Sequence, residues 1–306
     1  MPRRLRCHLP GTLLLLALAA PAAAAPRIVA SIAPIHSLVA AVTRGVTRPE
    51  LLVPGGQSPH TFALATSQAR TLAHADAVFA AAPAVESFLR KPLRSLAAGA
   101  RVVWMIDVAG VHRLPARRGG AWAQPDGDDT DAASVDPHLW LDPRNAAAFV
   151  SAAADALARI DPAHARDYRA NAERARARLD RLDARIARAL RPVTGVPFLV
   201  YHDAYHYLDA RYRLDAVGSV VVDPGRPPGA RRLAELRTRA DDERIACLFT
   251  EPQFPPAIAR TVVQGTGIRL ASLDPLGADL APGPSLYFGL MERLADDLRG
   301  CLVQGR

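Results

Sequence analysis

Residues 161–192 read DPAHARDYRANAERARARLDRLDARIARALRP. Asp161 before Pro162 places an N-cap aspartate ahead of a proline at the first helical position, the arrangement that starts a helix. From there Tyr168, Ala172, Ala175, Leu179, Leu182 and Ile186 recur at intervals of four and three, one apolar stripe on a surface otherwise coated with Arg, Asp and Glu. Arg191-Pro192 ends the pattern, since proline lacks an N–H and clashes with the preceding turn. At 1.5 Å per residue such a helix is roughly 43 Å long, about the length of a whole lobe. It predicts a strut between two lobes.

The chain has the same character on both sides of this strut. Before it, β-rich runs at 28–32, 51–53, 77–81 and 102–106 alternate with helical segments: one through Val42 stopping near Gly45, one capped by Thr66 or Ser67, and one containing Glu86, Phe88 and Leu89. Asp142-Pro143 repeats the helix-start signal and launches the segment leading into the strut. After the strut, runs at 198–201, 217–222, 245–250 and 268–273 alternate with helices, and an amphipathic helix at 286–302 closes the chain. Such alternation is the signature of βα units on a parallel sheet. The expected fold is α/β: two lobes of parallel-sheet βα units joined by a long rigid backbone helix, with a cleft between them. Its expected divisions are a signal peptide at 1–24, an N-terminal lobe at 25–142, a linking helical segment at 143–191 and a C-terminal lobe at 192–306.

The signal peptide is read from the basic Arg3, Arg4 and Arg6, an apolar core at 13–20 and the small residues Ala22-Ala23-Ala24. The apolar run is short for a membrane span, and the leucine-rich core favours the general secretory route over a twin-arginine one. Cleavage of 24 of the 306 residues leaves 282, enough for two cores, and removes three arginines, so the net charge falls from +8 to +5. Lys91 is the only lysine, and the arginines are scattered among alanines and acids without interleaved aromatics, which argues against a nucleic-acid surface. Between Arg113 and Ser134 periodicity disappears into glycine, proline and the acids Asp126, Asp128, Asp129 and Asp131, predicting a mobile acidic surface loop. Either it is a plain solvated linker, or its aspartates transiently capture a cation. Cys247 and Cys301 remain in the mature chain, and in an oxidising compartment they allow one intramolecular pairing, two buried thiols being the alternative.

Four residues stand in punctuated settings. His138 lies between two Asp-Pro dipeptides in Asp136-Pro137-His138-Leu139-Trp140-Leu141-Asp142-Pro143, where fixed proline φ and a Leu-Trp-Leu anchor stiffen the backbone. His60 follows a glycine turn, His202 ends the 198–201 run, and Asp274 ends the 268–273 run. Strand ends face the crevice of an open α/β sheet, so the four can meet there. Three imidazoles and a carboxylate suit Zn²⁺ in a four-coordinate site. Glu251, also at a strand end, suits a partner holding an imidazole in place, the alternatives being a ligand or an ordinary acid at the cleft rim. His206 shares a face with His202 only if both lie on one helix; with His202 read at the strand end, His206 stands as the alternative ligand. His36, His74, His112 and His164 are read as ordinary polar groups.

The stretch Val29-Ala30-Ser31-Ile32-Ala33-Pro34-Ile35-His36-Ser37-Leu38-Val39, with Ser58-Pro59-His60-Thr61-Phe62, the His138 motif, His202-Asp203-Ala204-Tyr205, Glu251-Pro252-Gln253-Phe254 and Leu273-Asp274-Pro275-Leu276-Gly277, resembles the ZnuA family of periplasmic zinc-binding proteins of bacterial high-affinity zinc ABC transporters. Six motifs in the same order span essentially the whole mature chain. The resemblance implies a periplasmic solute-binding protein that carries Zn²⁺ to a membrane permease driven by an ATPase; the mature chain is expected to be soluble, a monomer and not an enzyme. It implies His60, His138 and His202 as ligands, Asp274 near the metal, and a Cys247–Cys301 disulfide. Manganese-selective relatives generally carry a glutamate where His202 stands, which favours zinc. Two departures are visible: the 113–134 loop contains no histidine, and His206 stands where the related motif often has a small residue. The competing readings are a manganese or iron binder of the same fold, and a zinc hydrolase with Glu251 as general base. The hydrolase lacks a His-Glu-x-x-His helix or a nucleophile motif.

Overall fold

The computed structural model describes residues 25–122, 134–222, 224–225, 228–242 and 244–305. Strands β1 (Ile28–Ala30), β2 (Glu50–Leu51), β3 (Ala77–Ala80) and β4 (Arg101–Trp104) form one wholly parallel sheet in the order β2-β1-β3-β4. Strands β5 (Pro197–Val200), β6 (Asp215–Ser219), β7 (Cys247–Thr250) and β8 (Arg269–Ser272) form a second in the equivalent order β6-β5-β7-β8. The central β1 and β3 are buried throughout and read as unbroken Ile, Val, Ala and Phe, as a strand covered on both faces must. In each sheet the order reverses beside the first strand, so the crevice at the carboxyl ends opens between β1 and β3 and between β5 and β7.

The strut is α5 (Ala165–Leu190), 26 residues long, with Tyr168, Ala172, Ala175, Leu179, Leu182 and Ile186 buried. It packs along α4 (Pro143–Ile160) and against α1 (Ala33–Val42) and α9 (Leu286–Leu302). Near its start Asn171 Nδ2 donates to the carbonyls of Val42 and Arg44 in the first lobe. Near its end Asp183 accepts from Arg211 and Tyr212 of α6 (His206–Tyr212) in the second. The helix is therefore fastened to both lobes. Within the second lobe a disulfide joins Cys247 on β7 to Cys301 on α9.

Local expectations are met unevenly. Asp142 caps α4, accepting from the Arg144 N–H at 2.9 Å. Asp161 does not cap in this way. Its Oδ2 accepts from His164 Nδ1 and the Tyr168 hydroxyl, and a short 3-10 turn, Pro162–His164, precedes α5. The helix expected around Glu86 is a 3-10 turn, Ser87–Leu89, leading into α3 (Arg90–Ser95). Glu86 instead turns inward to accept from the N–H groups of Ala81 and Ala82, and complete burial pushes its carboxyl up to about 7.

The reading of 113–134 as one mobile surface loop is corrected over its first part. Residues 113–122 run along the surface, with Arg113, Pro115, Arg118 and Gly119 exposed, but are pinned in place: Pro115 bridges Val135, the Ala116 N–H donates to Ser134 O, and Ala121 is buried beside Gly218. Leu114, Ala121 and Trp122 supply apolar surface that the polar average of the stretch conceals. The four aspartates of that loop, like the expected signal peptide at 1–24, lie outside the described residues. Among the described residues no helix is long and apolar enough to cross a membrane.

Candidate metal centre

His60, His138 and His202 converge from three different elements. His60 comes from the turn segment after β2, His138 precedes a 3-10 turn formed by Leu139–Leu141, and His202 lies two residues beyond β5. Leu139, Trp140 and Leu141 are fully buried, which fixes the backbone that presents His138. The ring centroids form a nearly equilateral triangle of 5.4, 5.5 and 5.3 Å, and one nitrogen from each ring lies within 4.8 Å of the other two.

The hydrogen bonds behind the rings decide which nitrogens face inward. His138 Nδ1 donates to Asp136 Oδ1 at 2.9 Å, and the same oxygen accepts from the His138 backbone N–H. His202 Nδ1 donates to Glu251 Oε1 at 2.6 Å. A proton held on Nδ1 by a carboxylate leaves Nε2 with a bare lone pair. His138 Nε2 then faces His60 Nε2 at 3.3 Å, and His202 Nε2 is buried with no hydrogen-bond partner among the described residues. Lone pairs so arranged repel unless a cation or proton stands between them. For metal–nitrogen bonds of about 2.05 Å, a tetrahedron has edges of about 3.3 Å. The His60–His138 separation matches that edge.

Electrostatics divides the rings. Burial, then the neighbouring His138 and His202, hold His60 well below the ordinary imidazole value. Burial also acts to lower His202, but the charge and hydrogen bond of Glu251 outweigh it and raise the group. Asp136 is held below the usual carboxylate range: burial raises it, and the hydrogen bond and charge of His138, with His206 behind, overcome that. Trp140 and Phe254 wall the site, their rings 5.3 Å from His138 and 5.6 Å from His202. The rings line a small pocket that opens to solvent, with Glu251 the one acid on its wall among the described residues.

Asp274 does not join the group. Its Oδ1 accepts from Gln253 Nε2 and the Leu276 N–H, both at 2.9 Å, and its Oδ2 from the Ala278 N–H at 2.5 Å, so its carboxylate organises the turn it begins. His206 also stays outside, its Nδ1 3.6 Å from Asp136 Oδ2. Asp136 is the residue that sequence reasoning passed over. Its Asp-Pro-His spacing, which brings a carboxylate back onto the ring two residues later, was the available signal.

The model of the family described as zinc-uptake complex component A, periplasmic, matches residues 28–301. The chain belongs to this family. A high-affinity zinc uptake system protein ZnuA of Brucella abortus is 39% identical over 304 residues, covering 90% of this chain and 91% of the relative. The ZnuA of Yersinia pestis is 32% identical over 293 residues, covering 91% and 92%. Among solved structures, the periplasmic zinc binding protein TroA of Treponema pallidum superposes with a TM-score of 0.77 at 21% identity, covering 90% of this chain and 99% of that one. At that identity the likeness speaks for the fold: two parallel-sheet lobes and a long connecting helix. As in ZnuA-family proteins generally, the chain is a periplasmic solute-binding component of zinc uptake.

Proposed function

We propose that this chain captures Zn²⁺ in the periplasm at His60, His138 and His202 and hands it to a membrane permease driven by an ATPase. The observation that carries the proposal is the set of three inward-facing imidazoles: buried carboxylates hold the protons of His138 and His202 on Nδ1, and His60 Nε2 stands a tetrahedral edge, 3.3 Å, from His138 Nε2. Neutral nitrogen donors suit zinc better than the harder manganese or magnesium ions, which prefer oxygen. Zinc is cargo here, not a resident cofactor. Glu251, the acid a hydrolase would use as general base, is engaged with His202 Nδ1, which supports transport over hydrolysis. Glu251 and Asp136 steer the two imidazoles, and Asp274 shapes the rim. The working division is a cleaved signal at 1–24, lobes at 25–142 and 192–306, and a link at 143–191, acting as a monomer with no nucleic-acid partner.

Calorimetry on metal-free protein tests the proposal. One tight zinc site per chain is expected, and His138→Ala should weaken it by orders of magnitude. Wild-type protein that binds no zinc, or unchanged affinity in the variant, rejects the assignment.

A further inference from the structure

We infer that Arg117 is a positioning residue for the metal centre: from the segment that crosses between the lobes it locks the helix following His202 against the Asp136–His138 pair, and so sets the spacing of two imidazoles. The inference rests on the zinc-binding reading above.

Residues 113–122 leave the first lobe and lie along the second as a strap. The Leu114 N–H donates to the Tyr207 hydroxyl at 3.0 Å, and that hydroxyl donates to the backbone carbonyl of Asp136 at 3.0 Å. Arg117 reaches two carboxylates, Asp209 at 2.5 Å and Asp203 at 3.6 Å, with side-chain exposures of 12%, 6% and 18% for Arg117, Asp209 and Asp203. Its guanidinium also lies over the Trp122 ring, 4.3 Å from the centroid. Beyond it, Ala121 sits so tightly on Gly218 that a Cβ there would stand 2.6 Å from the Ala121 Cβ, and Arg232 donates to the Ala121 carbonyl. The strap is thus pinned at Leu114, Arg117 and Ala121.

What it grips is the support of two proposed ligands. Asp203 is the next residue after His202. Asp209 lies on α6, whose first residues set His206 beside Asp136 Oδ2 and place Tyr207 under the Asp136 carbonyl. Asp136 in turn holds His138. One guanidinium therefore ties the chain after His202 to the chain before His138, across the lobe boundary. An Arg fork can engage two carboxylates while stacking on an indole, whereas a lysine offers a single point of charge. No group of His, Cys, Asp and Glu at this place has metal-ligand spacing among the described residues, so the cluster is a brace and not a second ion site.

The test uses zinc affinity by chelator competition together with the visible d–d absorption of the Co²⁺-loaded protein, which reports ligand geometry. Arg117→Ala should weaken zinc about tenfold or more, the order seen when a partner behind a metal ligand is removed. It should also shift or weaken the Co²⁺ bands at saturating metal, with Arg117→Lys falling between it and wild type. Stripping the cation leaves buried acids unpaired and endangers folding, so Arg117→Met/Asp209→Leu removes the pair together. That double variant is expected to fold, bind zinc more weakly and show the altered bands. A folded double variant with wild-type affinity overturns the inference, and so does weakened affinity with unchanged Co²⁺ bands. Failure of wild-type protein to take up zinc or Co²⁺ overturns the zinc-binding reading itself.

Discussion

His202 Nδ1 lies 2.6 Å from Glu251 Oε1, with the two side chains only 5% and 1% exposed. The pair stands at the ends of β5 and β7, where the second sheet reverses its order, so the fold's ligand-binding crevice and the ring's orienting acid coincide. Glu251→Gln keeps an acceptor but removes the charge that fixes the Nδ1 proton. It should weaken zinc about tenfold, and Glu251→Ala about a hundredfold, in competition titrations. Asp136→Asn should act alike through His138. Wild-type affinity in all three would exclude the two rings as ligands.

The same pair predicts the pH profile. Zinc competes with protons for imidazole nitrogen, so affinity falls as each ligand protonates. His202 is raised above 6.5, because Glu251 outweighs the lowering effect of burial, so its proton is the first competitor as pH falls. His60, lowered well below 6.5, stays neutral and contributes only in stronger acid. Affinity measured from pH 8 downward should begin to drop above pH 6.5 and steepen below it. Glu251→Gln should bind more weakly at pH 8, yet show its onset at lower pH. An onset that does not move would assign the first proton to another group.

Much of this was open to a reader of the sequence. The strut announces itself through the spacing from Tyr168 to Ile186, and the strands through short apolar runs before glycine and proline. The three histidines stand out because each follows a strand or a proline turn. Other features depend on contacts that no local pattern records. Arg117 and Asp209 are 92 residues apart, and the strap that carries Arg117 is embedded in glycine and charge. Asp274 has the strand-end position of a ligand, but the N–H groups of Leu276 and Ala278 claim its oxygens once the chain turns. Asp161 shows the same substitution of partners, its carboxylate going to Tyr168 and His164 and not to the helix start.

The disulfide joins residues 54 apart, and the chain-entropy estimate makes such a closure worth about 4 kcal/mol. Cys247→Ala/Cys301→Ala should lose stability of that order in urea unfolding of the metal-free protein. Neither cysteine lines the cavity, so zinc affinity of the folded variant should be unchanged. A large loss of affinity without a loss of stability would show that the bridge shapes the site through the strand leading to Glu251.

At the rim of the cleft the two lobes touch backbone to backbone. A Cβ on Gly55 would stand 2.9 Å from Ala278 Cα, and Gln253 Nε2 donates both to the Gly55 carbonyl and to Asp274 Oδ1. Backbone cannot step aside as a flexible side chain can, so Gly55→Ala must push the rims apart. Overpacking of this kind costs about 1–3 kcal/mol, which corresponds to roughly 5- to 160-fold faster zinc release if the cost falls on the closed state. Gly56→Ala is the matched control, since a Cβ there meets nothing within 4 Å. Stopped-flow release into a chelator should separate the two variants, and equal rates would mean that the rim does not hold the cargo. Because α5 is fastened to both lobes through Asn171 and Asp183, the strain should stay at the rim. Small-angle scattering should accordingly give wild-type protein one radius of gyration with and without zinc, and a large closure on zinc addition would show that the strut bends.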